Sequence, residues 1–186
     1  LEEASVSKWP LEDVVSLLKI GVAPHATVSG PMAEVVFRST QYLNDDDARS
    51  MATYLRELPT QSVAKTDLPP PGKLSMERGA KIYQQYCAEC HGDKGQGDGT
   101  NAFPALAGNR AVTMHSPTNV VRMVLQGGYM PATQGNPRPQ GMPPFLHVLD
   151  DKEIAAVVTF IRNAWDNQGS ALDQADVYRV RERRGS

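Results

Sequence analysis

Two cysteines and a histidine stand together in the stretch "YCAECHGDKGQGDGT", residues 86–100. Cys87 and Cys90 are the 2 cysteines of the 186-residue chain, and His91 directly follows the second one. Thiols and imidazoles bind metals, exchange disulfides or form bonds to a cofactor. The C-x-x-C-H motif is therefore the part of the sequence whose residue types most clearly indicate a chemical function.

Three interpretations of this motif compete. A structural zinc site needs about four ligands, but there is no second cysteine pair, and His25, His115 and His147 show no ligand spacing. A thioredoxin-like redox pair belongs in a βαβ unit, which this helical sequence lacks. C-x-x-C-H is also the attachment motif of c-type haem, in which both thiols form thioethers and the histidine binds the iron. The motif favours one covalently bound haem c over the alternative that the two thiols are buried without a cofactor and the histidine is next to them by chance.

Haem iron that is bound by histidine on one side is often bound by methionine on the other, which raises the reduction potential. The downstream candidates are Met114, Met123, Met130 and Met142. Met123 falls on the apolar face of a predicted helix and is interpreted as core. Met130 and Met142 each stand in a Met-Pro pair, in a loop rich in glycine and proline. We predict Met142 as the second axial ligand, Met130 as the next choice, and the histidines behind both.

The segment that follows the motif contains "FPALAGN", residues 103–109. We predict that the carbonyl of Pro104 accepts a hydrogen bond from the free N–H of His91, which would raise the basicity of the imidazole. The alternative is an ordinary loop proline. The glycine-rich "GDKGQGDGT" follows no strand and precedes no Lys-Ser/Thr pair, so it is predicted to be a turn-rich loop at the cofactor edge rather than a phosphate cradle.

Helices are predicted to position these residues, and no convincing alternating strand is present. Periodicity and end signals predict an all-α fold, with helices in the stretches 10–21, 44–58, 75–90, 118–128 and 150–165. The last begins with a predicted capping box formed by Asp150 and Glu153. Residues 59–73, "PTQSVAKTDLPPPGK", predict an extended linker.

An internal repeat relates the two ends of the chain. "DVVSLLKIG" (13–21) aligns with "NVVRMVLQG" (119–127), and "LNDDDARSMATYLR" (43–56) aligns with "LDDKEIAAVVTFIR" (149–162), both at an offset of 106. Residues 1–58 are therefore predicted to be the C-terminal half of a domain of which residues 74–167 form a complete copy. The cysteine motif of the first copy would fall before residue 1.

Composition and charge indicate which class of protein the sequence belongs to. The chain is 40% hydrophobic and 22% charged with a net charge of −2, which predicts a globular protein without a nucleic-acid partner. The first residues lack the basic and apolar regions of a signal peptide, so an exported form would be already processed. Residues 168–186 are predicted to be a tail whose arginines are solvated rather than a docking strip.

The motifs together resemble one known family. "YQQYCAECHGDKGQGDG", "FPALAGN", "VLQGG", "MPPF" and "LDDKEIAAVVTFIRNAW" closely resemble the third haem domain of the multihaem (triheme) cytochrome c subunits of bacterial membrane-bound alcohol, gluconate, sugar and aldehyde dehydrogenases. "GPMAEVVFRSTQYLNDDDARSMATYLRELP" resembles the end of their second haem domain. The resemblance covers residues 9 to about 167.

This resemblance implies class I cytochrome c folds, with Cys87, Cys90, His91 and Met142 as haem residues. The resemblance also implies that Met32 is an axial ligand of a haem whose attachment motif this sequence lacks. The internal repeat predicts that Met32 lies in the same interhelical loop as Met142. Such subunits take electrons from a catalytic dehydrogenase subunit and pass them to a quinone or terminal oxidase. They work at the periplasmic face, with peripheral association to the membrane.

The expected function is thus electron transfer and not catalysis. One rival hypothesis is a haem enzyme or ligand-binding haem protein with an open sixth site. Another is a docking subunit in which residues 1–58 bind a dehydrogenase and the haem is secondary.

Overall fold

The computed structural model describes residues 5–59, 69–99 and 102–182. We call residues 5–59 the N-terminal segment and residues 69–182 the C-terminal segment. Residues 60–68, most of the predicted linker, lie outside the described part. The described residues are mainly helical, as the sequence predicts, and none of their helices is both long and apolar enough to span a bilayer.

The N-terminal segment folds around α1 and α3, which pack against each other. The side chain of Asn44 caps α3 by accepting a hydrogen bond from the backbone N–H of Asp47 (2.8 Å), as its predicted N-cap position implies. A two-residue antiparallel strand pair, which is too short to leave an alternating pattern in the sequence, follows α1. The elements are α1 (Leu11–Lys19), β1 (Val22–Ala23), β2 (Ala26–Thr27), α2 (Pro31–Arg38) and α3 (Asp45–Glu57), with a 3₁₀ turn at Thr40–Tyr42.

The C-terminal segment is built on the packing of its two longest helices against each other. Its elements are α4 (Lys73–Tyr86), α5 (Ala88–His91), α6 (Arg110–Thr113), α7 (Thr118–Gln126), β3 (Gly128–Tyr129), β4 (Gly141–Met142), α8 (Asp151–Asn163) and α9 (Gln174–Glu182). The predicted capping box is present, because the Asp150 side chain accepts from the Glu153 N–H and the Glu153 side chain accepts from the Asp150 N–H.

Close contact between α4 and α8 fixes the frame around the site. A Cβ on Gly79 of α4 would lie 2.2 Å from the carbonyl oxygen of Ala156 in α8, so only glycine permits this approach. One turn later, the fully buried Tyr83 packs against Phe160 (ring centroids 5.5 Å apart) and Trp165 (4.9 Å). This aromatic cluster fixes the end of α4, which delivers the cysteines.

The structure repeats the matched elements that the sequence predicts. Helices α1 and α7 each contain 9 residues, and α3 and α8 each contain 13. Gly21 and Gly127, which follow the first pair, both have positive φ, +83° and +64°. The two segments therefore share the lengths of these helices and the positive φ of the glycine that follows the first one.

The prediction that Met32 lies in a loop is wrong. Met32 is in the first turn of α2, directly after Pro31, and it is 48% exposed. Proline is favoured at the first position of a helix, and here it starts a helix that the sequence analysis did not predict.

The prediction of a solvated C-terminal tail holds for Arg179, whose side chain is 63% exposed, but is wrong for the apolar residues of the described stretch. Helix α9 packs on α8, and Val177 and Val180 are buried at 0% and 7% exposure. Arg181 pairs with Asp151, its Nε lying 2.9 Å from the carboxylate. The error arose because the arginines dominate this stretch, while its few apolar residues are the ones that meet the core.

Candidate functional site

Cys87, Cys90 and His91 lie on a single helical turn at the end of α4. The N–H of Cys87 donates to the carbonyl of Tyr83 (2.8 Å) and ends that helix. The N–H groups of Cys90 and His91 then both donate to the carbonyl of Cys87, at 3.2 Å and 2.9 Å. Residues at i, i+3 and i+4 share one face of a helix, so the two thiols and the imidazole face the same way.

Gly92 ends this turn with a φ of +77°. A Cβ at this position would lie 2.4 Å from the carboxamide of Gln96. The carbonyl of Gly92 accepts a hydrogen bond from the Tyr83 hydroxyl (2.6 Å). The aromatic cluster therefore anchors the backbone on the far side of His91.

His91 is buried, and its Nδ1 lies 2.9 Å from the carbonyl oxygen of Pro104. The contact predicted from the sequence is thus present, while its effect on a bound metal stays a prediction. Burial lowers the pKa of His91, and the hydrogen bond to Pro104 acts in the opposite direction. The imidazole is therefore neutral at pH 7, which is the form that binds metals.

Cys87 and Cys90 are both free thiols. Burial raises the pKa of Cys87 to about 11, with a smaller contribution from the neighbouring Cys90. Catalytic cysteines of redox pairs have depressed pKa values, so the thioredoxin-like interpretation loses support. Within the described residues, no group of three or more His, Cys, Asp or Glu side chains could hold a metal ion, which gives the zinc interpretation no support either.

An apolar cavity lies beside these three side chains and is lined by all of them. Met123, Met130 and Met142 line the same cavity, whereas Met114 offers its carbonyl to Arg162 (2.9 Å). Much of the remaining wall is aliphatic or aromatic, with contributions from Val120, Val124, Phe145, Leu149, Val157 and Ile161. Two thiols, a neutral imidazole and thioether sulfurs on one apolar cavity form a donor set that fits a covalently held haem.

The backbone around Met142 is held more firmly than its loop position alone suggests. We call residues 127–145 the methionine loop. Met142 pairs with Gly128 between β4 and β3, and a Cβ on Gly127 would lie 2.2 Å from the carbonyl oxygen of Met142. The N–H of Phe145 donates to the carbonyl of Val124 in α7 (3.0 Å). Gly127 thus allows the loop to approach the end of α7, a role that the sequence analysis did not assign.

Part of the cavity wall comes from the N-terminal segment. Thr27, Val28 and Ser29 line it beside Met130. The sequence analysis missed these residues because the repeat separates the two segments and carries no signal of how they pack. Met32 is not one of the lining residues, so the structure does not bring it together with His91.

Comparison with known proteins identifies the family of the chain. A sequence model of the cytochrome c family matches residues 76–165. Cytochrome c-552 of Thermus thermophilus is 39% identical over 92 residues, which cover 47% of this chain and 67% of that protein. The chain belongs to the cytochrome c family. Haem c is the covalent cofactor of this family.

Longer relatives match nearly the whole chain. The cytochrome c subunit of a quinone-dependent alcohol dehydrogenase from Gluconobacter oxydans (strain 621H) is 35% identical over 96% of this chain and 39% of its own length. The cytochrome c subunit of a gluconate 2-dehydrogenase from Pantoea cypripedii is 31% identical over 95% of this chain and 42% of its own length. The predicted resemblance to dehydrogenase cytochrome subunits is confirmed. The chain spans about two fifths of the length of these relatives.

Proposed function

We propose that this chain is part of the cytochrome c subunit of a membrane-bound dehydrogenase and transfers electrons through one covalently bound haem c. The observation that carries this proposal is the helical turn bearing Cys87, Cys90 and His91 on an apolar cavity that methionine sulfurs also line. When bound, the haem supplies a one-electron couple between ferric and ferrous iron.

The chain's own residues bind and orient that group. The thiols of Cys87 and Cys90 would hold the haem through two thioether bonds. His91 would hold the iron through Nε2, because its Nδ1 is engaged by the carbonyl of Pro104. This contact fixes the orientation of the ring and increases its basicity.

Met142 is proposed as the second axial ligand. Met130 lines the cavity as well, and the choice of Met142 is supported by its backbone pairing with Gly128 and its close approach to Gly127. Methionine opposite histidine raises the reduction potential, and an apolar wall disfavours the extra charge of the ferric state. Both effects suit an acceptor of electrons from a dehydrogenase.

The partner is proposed to be a catalytic dehydrogenase subunit, with a quinone or terminal oxidase as the electron acceptor. The relatives named as cytochrome subunits of alcohol and gluconate dehydrogenases support this. The site is proposed to lie at the periplasmic side of the membrane. Fractionation of cells that export the protein tests the location, and expression without export should give apoprotein.

The N-terminal segment is proposed to be the C-terminal half of a second cytochrome c domain, with Met32 as an axial ligand of its haem. Equal helix lengths in the two segments support the half-domain. Met32, Val35 and Phe37 of α2 are all more than 40% exposed, as expected for an apolar surface that another part of a longer chain covers. In the longer protein, Met32→Ala should remove the methionine band of one haem and leave that of the other.

Optical spectroscopy distinguishes a six-coordinate haem from a haem with an open sixth coordination site. Ferric haem with His/Met ligands has a weak sulfur-to-iron band at the red end of the visible spectrum. The band should be present in the protein as purified. A ferric spectrum without it, together with rapid binding of carbon monoxide by the ferrous form, would favour the open site.

A further inference from the structure

A short stretch of the N-terminal segment touches the candidate site at several places. We call residues 20–29 the brace; it begins directly after α1 and contains the β1–β2 pair and the residues that follow. Thr27, Val28 and Ser29 line the cavity with the cysteine motif. The wall of the site is thus completed by residues that lie outside the matched region 76–165.

The brace also contacts the methionine loop. A Cβ on Gly21 would lie 2.4 Å from Cγ of Pro131, the residue after Met130. The hydroxyl of Thr133 donates to the carbonyl of Ile20 (3.2 Å). The side chain of Ile20 fills the space beside Gly135, where an added Cβ would meet its Cδ1 at 2.8 Å.

On its other side, the brace contacts the loop that carries Pro104. The N–H of Arg110, the first residue of α6, donates to the carbonyl of His25 (3.0 Å). The ring of His25 lies close to Gly108, where an added Cβ would be 3.3 Å from its Nδ1. The brace therefore connects the loop beside His91 to the loop that holds Met142.

Between its two strands, the methionine loop is contacted by the brace at several buried positions. In this stretch, the backbone pairing seen in the described structure is the bridge between Thr133 and Asn136. Thr133 and Pro131 are buried although they belong to a loop, and the brace is what covers them. Loops are the parts of a protein that open most readily, and a packed neighbour restrains such opening.

We propose that the brace is a positioning element of the haem site, which closes one edge of the cavity and restrains the methionine loop so that its sulfur stays on the iron. The proposal rests on the proposed function, because it assumes a haem with a methionine ligand. It assigns to the N-terminal segment an effect on the C-terminal haem that is independent of any second haem.

Gly21→Ala in the full chain tests the proposal, with Gly30→Ala as the matched control. Both glycines have positive φ, +83° and +57°, so both substitutions strain the backbone. An added Cβ meets Pro131 at Gly21 but nothing within 4 Å at Gly30. Gly21→Ala should weaken the methionine band, increase the affinity of the ferric protein for imidazole by roughly tenfold, and speed hydrogen exchange of residues 129–142. Gly30→Ala should change none of these.

Thr133→Val provides a second variant in case Gly21→Ala does not fold. It removes the hydroxyl that donates to Ile20 and should increase imidazole affinity several-fold, roughly the value of one hydrogen bond. Thr133→Ser keeps the hydroxyl and should restore wild-type affinity and the methionine band.

The two proposals fail in different ways. Absence of covalent haem from the wild-type protein would overturn both. The brace proposal alone would be overturned if the wild-type protein has covalent haem and a methionine band while the test variants behave like their controls. That is, Gly21→Ala would match Gly30→Ala, and Thr133→Val would match Thr133→Ser, in all measurements.

Discussion

The Nδ1 atom of His91 lies 2.9 Å from the carbonyl oxygen of Pro104. This contact leaves Nε2 as the ring nitrogen available to the iron, since a neutral imidazole has one donor and one acceptor nitrogen. The position of Pro104 depends in turn on Gly97, where a Cβ would lie 2.5 Å from the carbonyl oxygen of Phe103 and 3.0 Å from the carbonyl carbon of Pro104. Gly97 also donates its N–H to the carbonyl of His91 (2.8 Å).

Gly97→Ala is expected to raise the reduction potential. The new methyl group displaces residues 103–105 and weakens the His91–Pro104 hydrogen bond, so the imidazole becomes less basic and stabilises ferric iron less. A hydrogen bond of about 1 kcal/mol corresponds to roughly 40 mV for one electron. Redox titration measures the change. Gly99→Ala is the control, because Gly99 also has positive φ (+72°) but open space around it; equal potentials for the two variants would contradict the expectation.

Met142→Ala is expected to abolish the methionine band and lower the potential by on the order of 100 mV, since a harder oxygen or nitrogen ligand favours ferric iron more than the thioether does. Met130→Ala and Met123→Ala should retain the band, although both residues line the cavity. The spectra of the three ferric variants measure this directly. If Met130→Ala loses the band instead, the ligand assignment within the methionine loop is wrong.

Arg162→Met is expected to destabilise the holoprotein by about 3 kcal/mol, because Arg162 is fully buried and donates to several carbonyl groups. Its guanidinium bonds to the carbonyls of Val112 (2.7 Å) and Met114 (2.9 Å) and, through Nε, to that of Ser170 (3.2 Å). Chemical denaturation measures the loss, and hydrogen exchange should show α9 opening first. Arg179→Met, at an exposed ion pair with Asp176, should cost less than about 1 kcal/mol. Equal stability of the two variants would contradict a role for Arg162 in anchoring the C-terminus.

The helices and the local site were predictable because their signals are local. Caps such as Asn44 and Asp150, and the periodicity of α8, specify elements within a few residues. The three residues of the motif are likewise close in sequence, so one helical turn brings them together. The contact of Pro104 with His91 could be predicted because Pro104 lies on the loop that directly follows the motif.

The errors concern long-range packing. The stretch 168–186 reads as charged, and nothing local indicates that Val177 and Val180 cover α8. The brace was missed for the same reason, since contacts such as Gly21 with Pro131 join residues far apart in the chain. Met32 was misplaced because a single proline that starts a helix resembles a loop signal.

Intact mass under denaturing conditions tests the central claim most directly, because thioether bonds survive unfolding and axial ligation does not. The exported wild-type protein should exceed its polypeptide mass by one haem. The double variant Cys87→Ala, Cys90→Ala should have the polypeptide mass alone, and each single variant should hold haem less completely than the wild type. A wild-type mass equal to that of the polypeptide, with the haem lost on unfolding or zinc bound in its place, would contradict covalent haem at this site.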